Sequence, residues 1–142
     1  MTNHHNIPKK ALIIDDQQTI SMIYSKVLKD LGIEKVFTAP SASIGLKGYL
    51  VELPDLVLLD VNMPIKDGLT LLKEIMSNDP DANVVMLTSV NDRQTVINCL
   101  RAGAKNYLLK MDEVSDVKQK LIDIMRKLDF SRNEFRSIKA SA

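Results

Sequence analysis

Three short aliphatic runs, Ala11 to Ile14, Leu56 to Leu59 and Val84 to Leu87, are separated by stretches whose apolar residues recur at helical spacing instead of alternating. A run with no polar alternation belongs to a strand covered on both faces, and several such strands between helices describe a parallel sheet with helices above and below it. Ile20, Ile23, Tyr24, Val27, Leu28 and Leu31 share one helical face, which Gly32 terminates. Lys35 to Ala39 reads as a second strand, and Ser41 to Leu50 as a weak helix, because Gly45 and Gly48 in its interior each cost about 1 kcal/mol relative to Ala. Leu56 to Asp60 is the third strand, and Leu69, Leu72, Ile75 and Met76 stripe a helix that ends before Asp79 and Pro80. Asn83 to Thr88 is the fourth strand. A fourth helix follows with Val96, Ile97 and Leu100 on its core face, Asn91 as N-cap and Gly103 as C-cap. Lys105 to Leu109 is the fifth strand, and a long helix starts near Asp112. Five strands alternating with five helices predict an α/β fold with a doubly wound parallel sheet.

Composition narrows the function classes. The 142 residues include 19 Lys and Arg against 18 Asp and Glu, so there is no broad basic field for nucleic acid to bind by counterion release. Cys99 is the only cysteine, which excludes an intramolecular disulfide and a Cys-based zinc site and fits a reducing cytoplasm. The longest aliphatic runs fall far short of the roughly eighteen residues a membrane span needs, and no signal peptide is read. Cytoplasmic localisation, with neither a membrane nor a nucleic-acid partner, is the expectation. Residues 1–8 read as a flexible polar arm, 9–126 as one domain, and 127–142 as a helical extension or a frayed tail.

In such a sheet, ligand chemistry belongs at the carboxyl ends of the strands. Those ends carry Asp15 and Asp16 after strand one, Asp60 after strand three, Thr88 after strand four and Lys110 after strand five. Three carboxylates converging on one edge repel one another unless a cation intervenes. Mg²⁺ is the natural remedy, because it takes oxygen ligands and keeps several waters. Lys110 and the Thr88 hydroxyl are then placed to hold phosphate oxygens.

The string Asp60-Val61-Asn62-Met63-Pro64-Ile65-Lys66-Asp67-Gly68, in register with Asp15-Asp16, Thr88 and Lys110, resembles the phosphoacceptor loop of response-regulator receiver domains in two-component signalling, and the chain is close in size to the single-domain, chemotaxis-type members. The likeness covers about residues 9 to 126. It implies a flavodoxin-like sheet of strand order 2-1-3-4-5. It also implies that Asp60 accepts a phosphoryl group from the phosphohistidine of a sensor histidine kinase or a phosphotransfer protein. Mg²⁺ would be held directly by Asp16 and Asp60, through water by Asp15, and by the Asn62 backbone carbonyl. Thr88 and Lys110 would bind the phosphoryl oxygens, Tyr107 would turn inward on activation, and the fourth helix, fifth strand and fifth helix would present the face that a downstream target reads. In this reading the chain is no turnover enzyme and catalyses only its own phosphorylation and dephosphorylation.

Two positions depart from the family pattern. Met111 stands where the family usually has a Pro in cis linkage after the lysine. A non-proline cis bond costs about 2.5 to 4 kcal/mol, so this bond is either trans with a rebuilt loop or locally strained. The resemblance also implies that the phosphoaspartate lifetime is tuned by the side chains two residues after the phosphoacceptor and two after the threonine, here Asn62 and Val90. Val90 offers no polar group to a hydrolytic water, which predicts a phosphoaspartate longer-lived than in fast chemotaxis-type members.

Each of these residues also has an ordinary reading: a helix N-cap for Asp15 or Asp16, a strand-terminal hydroxyl for Thr88, a solvated charge for Lys110, a half-buried strand aromatic for Tyr107. Their convergence outweighs those readings. Cys99 reads as a small buried hydrophobe. His4 and His5, in the polar arm with no third ligand nearby, carry no metal reading. The alternatives are a degenerate receiver acting as a phosphorylation-independent binding module and, less well supported, an aspartyl-phosphate phosphatase. The phosphatase needs an acid two residues after its nucleophile, where Asn62 stands. A dinucleotide enzyme needs a Gly-rich turn after strand one, where the chain reads Asp15-Asp16-Gln17-Gln18.

At the C-terminus, Val114, Val117, Leu121, Ile124, Leu128, Ser131, Phe135 and Ile138 follow a heptad seam broken only by Ser131. Either the fifth helix runs on and forms a weak homodimer or partner-docking surface, or it stops near Leu128.

Overall fold

A computed structural model of the protein describes residues 7–89, 93–110 and 112–131. The element order is β1 (Lys10–Ile14), α1 (Gln18–Asp30), β2 (Lys35–Ala39), α2 (Ala42–Glu52), β3 (Leu56–Asp60), α3 (Gly68–Asn78), β4 (Val84–Thr88), α4 (Arg93–Arg101), β5 (Asn106–Leu109) and α5 (Val114–Lys127). All neighbouring strands pair in parallel, in the order β2-β1-β3-β4-β5. This is the doubly wound, flavodoxin-like sheet with five helices that the sequence predicts.

The strand side chains divide between two cores. Leu12, Ile14, Val57, Leu59, Val84 and Met86 face α2, α3 and α4, while Ala11, Ile13, Leu56, Leu58, Val85 and Leu87 face α1 and α5. Every residue of β3 and β4 is buried, so the continuous apolar runs are explained by helices on both sides. Gly45 shows why α2 tolerates a poor helix former: a Cβ there would stand 2.8 Å from Ile14 Cδ1, so the helix lies closer to β1 than any side chain would allow. Ser41 caps α2 by accepting from the Ile44 amide, and Asp67 caps α3 by accepting from the Thr70 amide. Gly103, at φ +116°, closes α4 as expected of a glycine in the left-handed region.

Several helix-face expectations are corrected. Ile23 is 42% exposed, and α1 buries Ser21, Tyr24, Val27 and Leu28 instead, because Ile23 sits at the margin of the stripe. In α4 the buried residue is Cys99, which joins the core on the α2, α3 and α4 side of the sheet; Val96 and Ile97 are half-buried and Leu100 is exposed, so the covered stripe is narrower than the spacing predicts. The Asn91 cap lies outside the described residues, as do His4 and His5. Pro8, assigned to the arm, is buried, and Ile7 approaches Gly32.

α5 ends at Lys127. Leu128 is extended at φ −100° and ψ 153°, and Phe130 turns back into the core between the sheet and α1 and α5. The Asn83 side-chain amide holds this return, donating to the carbonyls of Asp55 and Asp129 at 3.3 and 3.1 Å. Of the two readings of this segment, the helix that stops near Leu128 is the one observed and the unbroken continuation through Ser131 is not; Phe135 and Ile138 lie outside the described residues. Among the described residues no helix is long and apolar enough to cross a membrane.

Candidate functional site

Register assembles the site. Asp60, the last residue of β3, pairs with Leu87, so Thr88 ends the adjacent strand one step further, and Thr88 in turn pairs with Leu109, the residue before Lys110. The Lys110 amide donates to the Thr88 carbonyl at 2.9 Å, which extends the ladder past β5 and fixes where the lysine side chain begins. At the other side, the Asp15 amide donates to the Ala39 carbonyl at 3.1 Å, continuing the pairing of β1 and β2.

Asp15 and Asp60 are buried at 1% and 2% exposure, whereas Asp16 is exposed. One carboxylate oxygen from each of the three lies within 4.8 Å of the others. Lys110 Nζ reaches into this cluster, 2.6 Å from Asp15 Oδ2 and 3.1 Å from Asp60 Oδ1, with its side chain only 6% exposed. Asp15 Oδ1 accepts from the Gln17 amide at 2.8 Å, and Asp60 Oδ1 accepts from the Asn62 amide at 3.1 Å. Asp60 Oδ2 is buried and has no hydrogen-bond partner among the described residues. One oxygen of this carboxylate is therefore anchored and the other is left for an incoming electrophile or cation.

Burial and the neighbouring Asp15 charge push the Asp60 carboxyl up from 3.8 to about 6 despite the opposing hydrogen bond and charge of Lys110, with burial the largest cause. The Asp60 loop returns tightly: the Gly68 amide donates to the Val61 carbonyl at 2.9 Å, and a Cβ on Gly68 would stand 2.0 Å from the Asp60 carbonyl oxygen. That contact gives the physical reason for a glycine eight residues after the aspartate.

The match with known proteins decides the family. The family model for the response regulator receiver domain covers residues 11–122. This chain belongs to the response-regulator receiver domains. The receiver is 33% identical over 112 residues to the chemotaxis protein CheY of Listeria monocytogenes, spanning 79% of this chain and 94% of that protein. It is 35% identical over 101 residues to the CheY of Bacillus subtilis, spanning 71% of this chain and 84% of that protein. Among solved structures it resembles the CheX–CheY–BeF₃–Mg²⁺ complex from Borrelia burgdorferi, with a TM-score of 0.77 and 30% identity over 83% of this chain and 90% of that one. The receiver is thus of the CheY type found in two-component signalling.

The structure gathers Asp15, Asp16, Asp60 and Lys110 into one cluster and buries Thr88 beside it at 3% exposure. Tyr107 stands apart on β5, 38% exposed. Asn62 is exposed and contributes its amide to Asp60. Cys99 is buried, and burial raises its thiol pKa, in keeping with a small core hydrophobe. Val90 and Met111, and with Met111 the Lys110–Met111 bond, lie outside the described residues. Gln17 was not singled out from the sequence, yet its side-chain oxygen accepts from Lys110 Nζ at 3.3 Å. A polar residue beginning a helix carries no sequence signal of contact with a lysine that follows the opposite end of the sheet.

Proposed function

We propose that this receiver is a phosphorylation-dependent switch in which Asp60 takes a phosphoryl group from the phosphohistidine of a sensor histidine kinase or phosphotransfer protein. The observation that carries this reading is the asymmetry of the Asp60 carboxylate: Oδ1 is held by Asn62 and Lys110, while Oδ2 is buried and unpartnered. In the transfer, Oδ2 attacks phosphorus, the bond from phosphorus to the imidazole nitrogen breaks, and the product is an acyl phosphate on Asp60.

The residues present fit a divalent cation. Three carboxylates of a hard-oxygen donor set lie within 4.8 Å of one another, and two buried oxygens among them, Asp15 Oδ2 and Asp60 Oδ2, lack a hydrogen-bond partner among the described residues. Asp16, Asp60 and the Asn62 carbonyl would hold Mg²⁺ directly and Asp15 through water. Bound there, Mg²⁺ would supply charge neutralisation for the phosphoryl oxygens. The chain's own share is positional: Asn62 orients Asp60, the strand ladder fixes Thr88 and Lys110, and the Lys110 ammonium supplies positive charge to the phosphoryl group. Added phosphate would then bias the face formed by α4, β5 and α5, where Tyr107 borders a groove of about 260 Å³ between β5 and α5. That face is the proposed docking site for a downstream protein.

The test is intact mass after exposure to a small acyl phosphate, with and without Mg²⁺. The expected result is one added phosphate that requires both reagents and is lost in Asp60→Asn. An unchanged mass under conditions that modify another receiver would overturn the proposal in favour of a phosphorylation-independent binding module.

A further inference from the structure

The Lys110 ammonium carries three N–H donors; it is ion-paired with Asp15 Oδ2 at 2.6 Å and Asp60 Oδ1 at 3.1 Å, and it donates a hydrogen bond to Gln17 Oε1 at 3.3 Å. Two of these are the carboxylates on which the proposed phosphoryl chemistry makes its own demands. The third is neutral and belongs to no other part of the cluster. Gln17 is itself fixed by the site, since its amide donates to Asp15 Oδ1 at 2.8 Å and its backbone is extended, at φ −91° and ψ 105°, ahead of α1. Its side chain is exposed and lies at the water side of a lysine that is only 6% exposed. One residue in the loop between β1 and α1 thus ties a carboxylate of its own loop to a lysine arriving from β5, across the two intervening strands β3 and β4.

We infer that Gln17 is a positioning residue, whose side-chain oxygen holds the Lys110 ammonium over the Asp15–Asp60 edge and keeps it oriented when either carboxylate is drawn into other bonds. The inference rests on the proposed phosphotransfer for its kinetic consequence, but its geometric part stands without it. A neutral acceptor suits this task, because a carboxylate there would add a fourth negative group to an already acidic cluster, whereas a residue without oxygen would leave one ammonium donor to water.

The test compares Gln17→Met, which keeps the side chain's length and removes the acceptor, with Gln17→Glu, which restores one. Two readouts separate the inference from the reading beneath it. First, ¹⁵N spectroscopy of the Lys110 ammonium, without metal or phosphodonor, should show slow proton exchange in the wild type and in Gln17→Glu, and exchange-broadened loss of the signal in Gln17→Met. Secondly, self-phosphorylation from a small acyl phosphate at saturating Mg²⁺ should slow about three- to ten-fold in Gln17→Met. The same substitution made on a Lys110→Ala background should change the remaining rate by less than about two-fold, as a contact acting through Lys110 requires. An unaltered Lys110 signal in Gln17→Met, or an equal slowing on both backgrounds, would overturn the inference. If the wild type accepts no phosphate, the phosphotransfer reading fails, and the ammonium signal alone decides the role of Gln17.

Discussion

At Asp60, burial favours the protonated carboxyl and Lys110 favours the carboxylate, and burial wins, leaving the group near 6. A folded-state value above the unfolded 3.8 means that the native protein binds the proton more tightly, so this group's contribution to stability falls as pH rises from about 4 through about 6. Asp60→Asn removes that dependence. Without Mg²⁺, urea denaturation should find the variant more stable than the wild type by about 1–3 kcal/mol at pH 7, with the difference vanishing below about pH 4. Added Mg²⁺ should narrow the gap at pH 7 by binding the wild type. Lys110 presents the converse case. Its ammonium occupies oxygens of both Asp15 and Asp60, so Lys110→Ala should tighten Mg²⁺ binding in calorimetry, by about three- to ten-fold at a cost of one removed positive charge. Weaker binding would show that the lysine organises the carboxylates more than it competes for them. The charged members of this cluster were legible in the sequence because each follows a strand whose end is readable from its apolar run. Gln17 was not, since its contact exists only once β1 and β5 are placed on one edge of the sheet.

At the scale of elements, glycines show where backbone closeness, not propensity, decides. Gly68 begins α3 directly against the Asp60 carbonyl, with only 2.0 Å left for a Cβ. Gly68→Ala must move either the helix or the acceptor loop, so it should cost more than about 3 kcal/mol in thermal or urea unfolding and weaken Mg²⁺ binding with it. A variant of normal stability would show that the loop yields easily. The position of this glycine was readable as part of the acceptor-loop string; the reason for Gly45 was not. From sequence alone, Gly45 counts only as a penalty to α2, whereas in the fold it admits Ile14 beneath the helix. Strand limits were legible to within about one residue because burial on both faces leaves no polar interruption. Helix faces were less so. Ile23 and Leu100 satisfy the spacing but stand 42% and 41% exposed, because spacing defines a stripe and only the neighbouring elements define how wide a stripe is covered.

For the whole molecule, the end of the chain is set by long-range packing that no local pattern announces. The heptad spacing continues through Leu128 and Ser131, yet the chain leaves the helix after Lys127 so that Phe130 can fill the core below α1 and α5 and Asp129 can accept from Asn83. Phe130 is 6% exposed, and its burial outweighs another helical turn that would point into water. Phe130→Ala should therefore cost about 3 kcal/mol, lowering the thermal midpoint by about 10 °C for a chain of this size. A chain ended at Lys127 should lose at least as much, having also left the Asn83 amide short of an acceptor. A chain ended at Ser131 keeps both contacts and should retain the full chain's midpoint. Since no continuous helical seam runs through 128–131, light scattering should give the chain ended at Ser131 and the full chain the same monomeric mass. A larger mass confined to the full chain would assign self-association to residues 132–142 and their Phe135 and Ile138, independently of the break in α5.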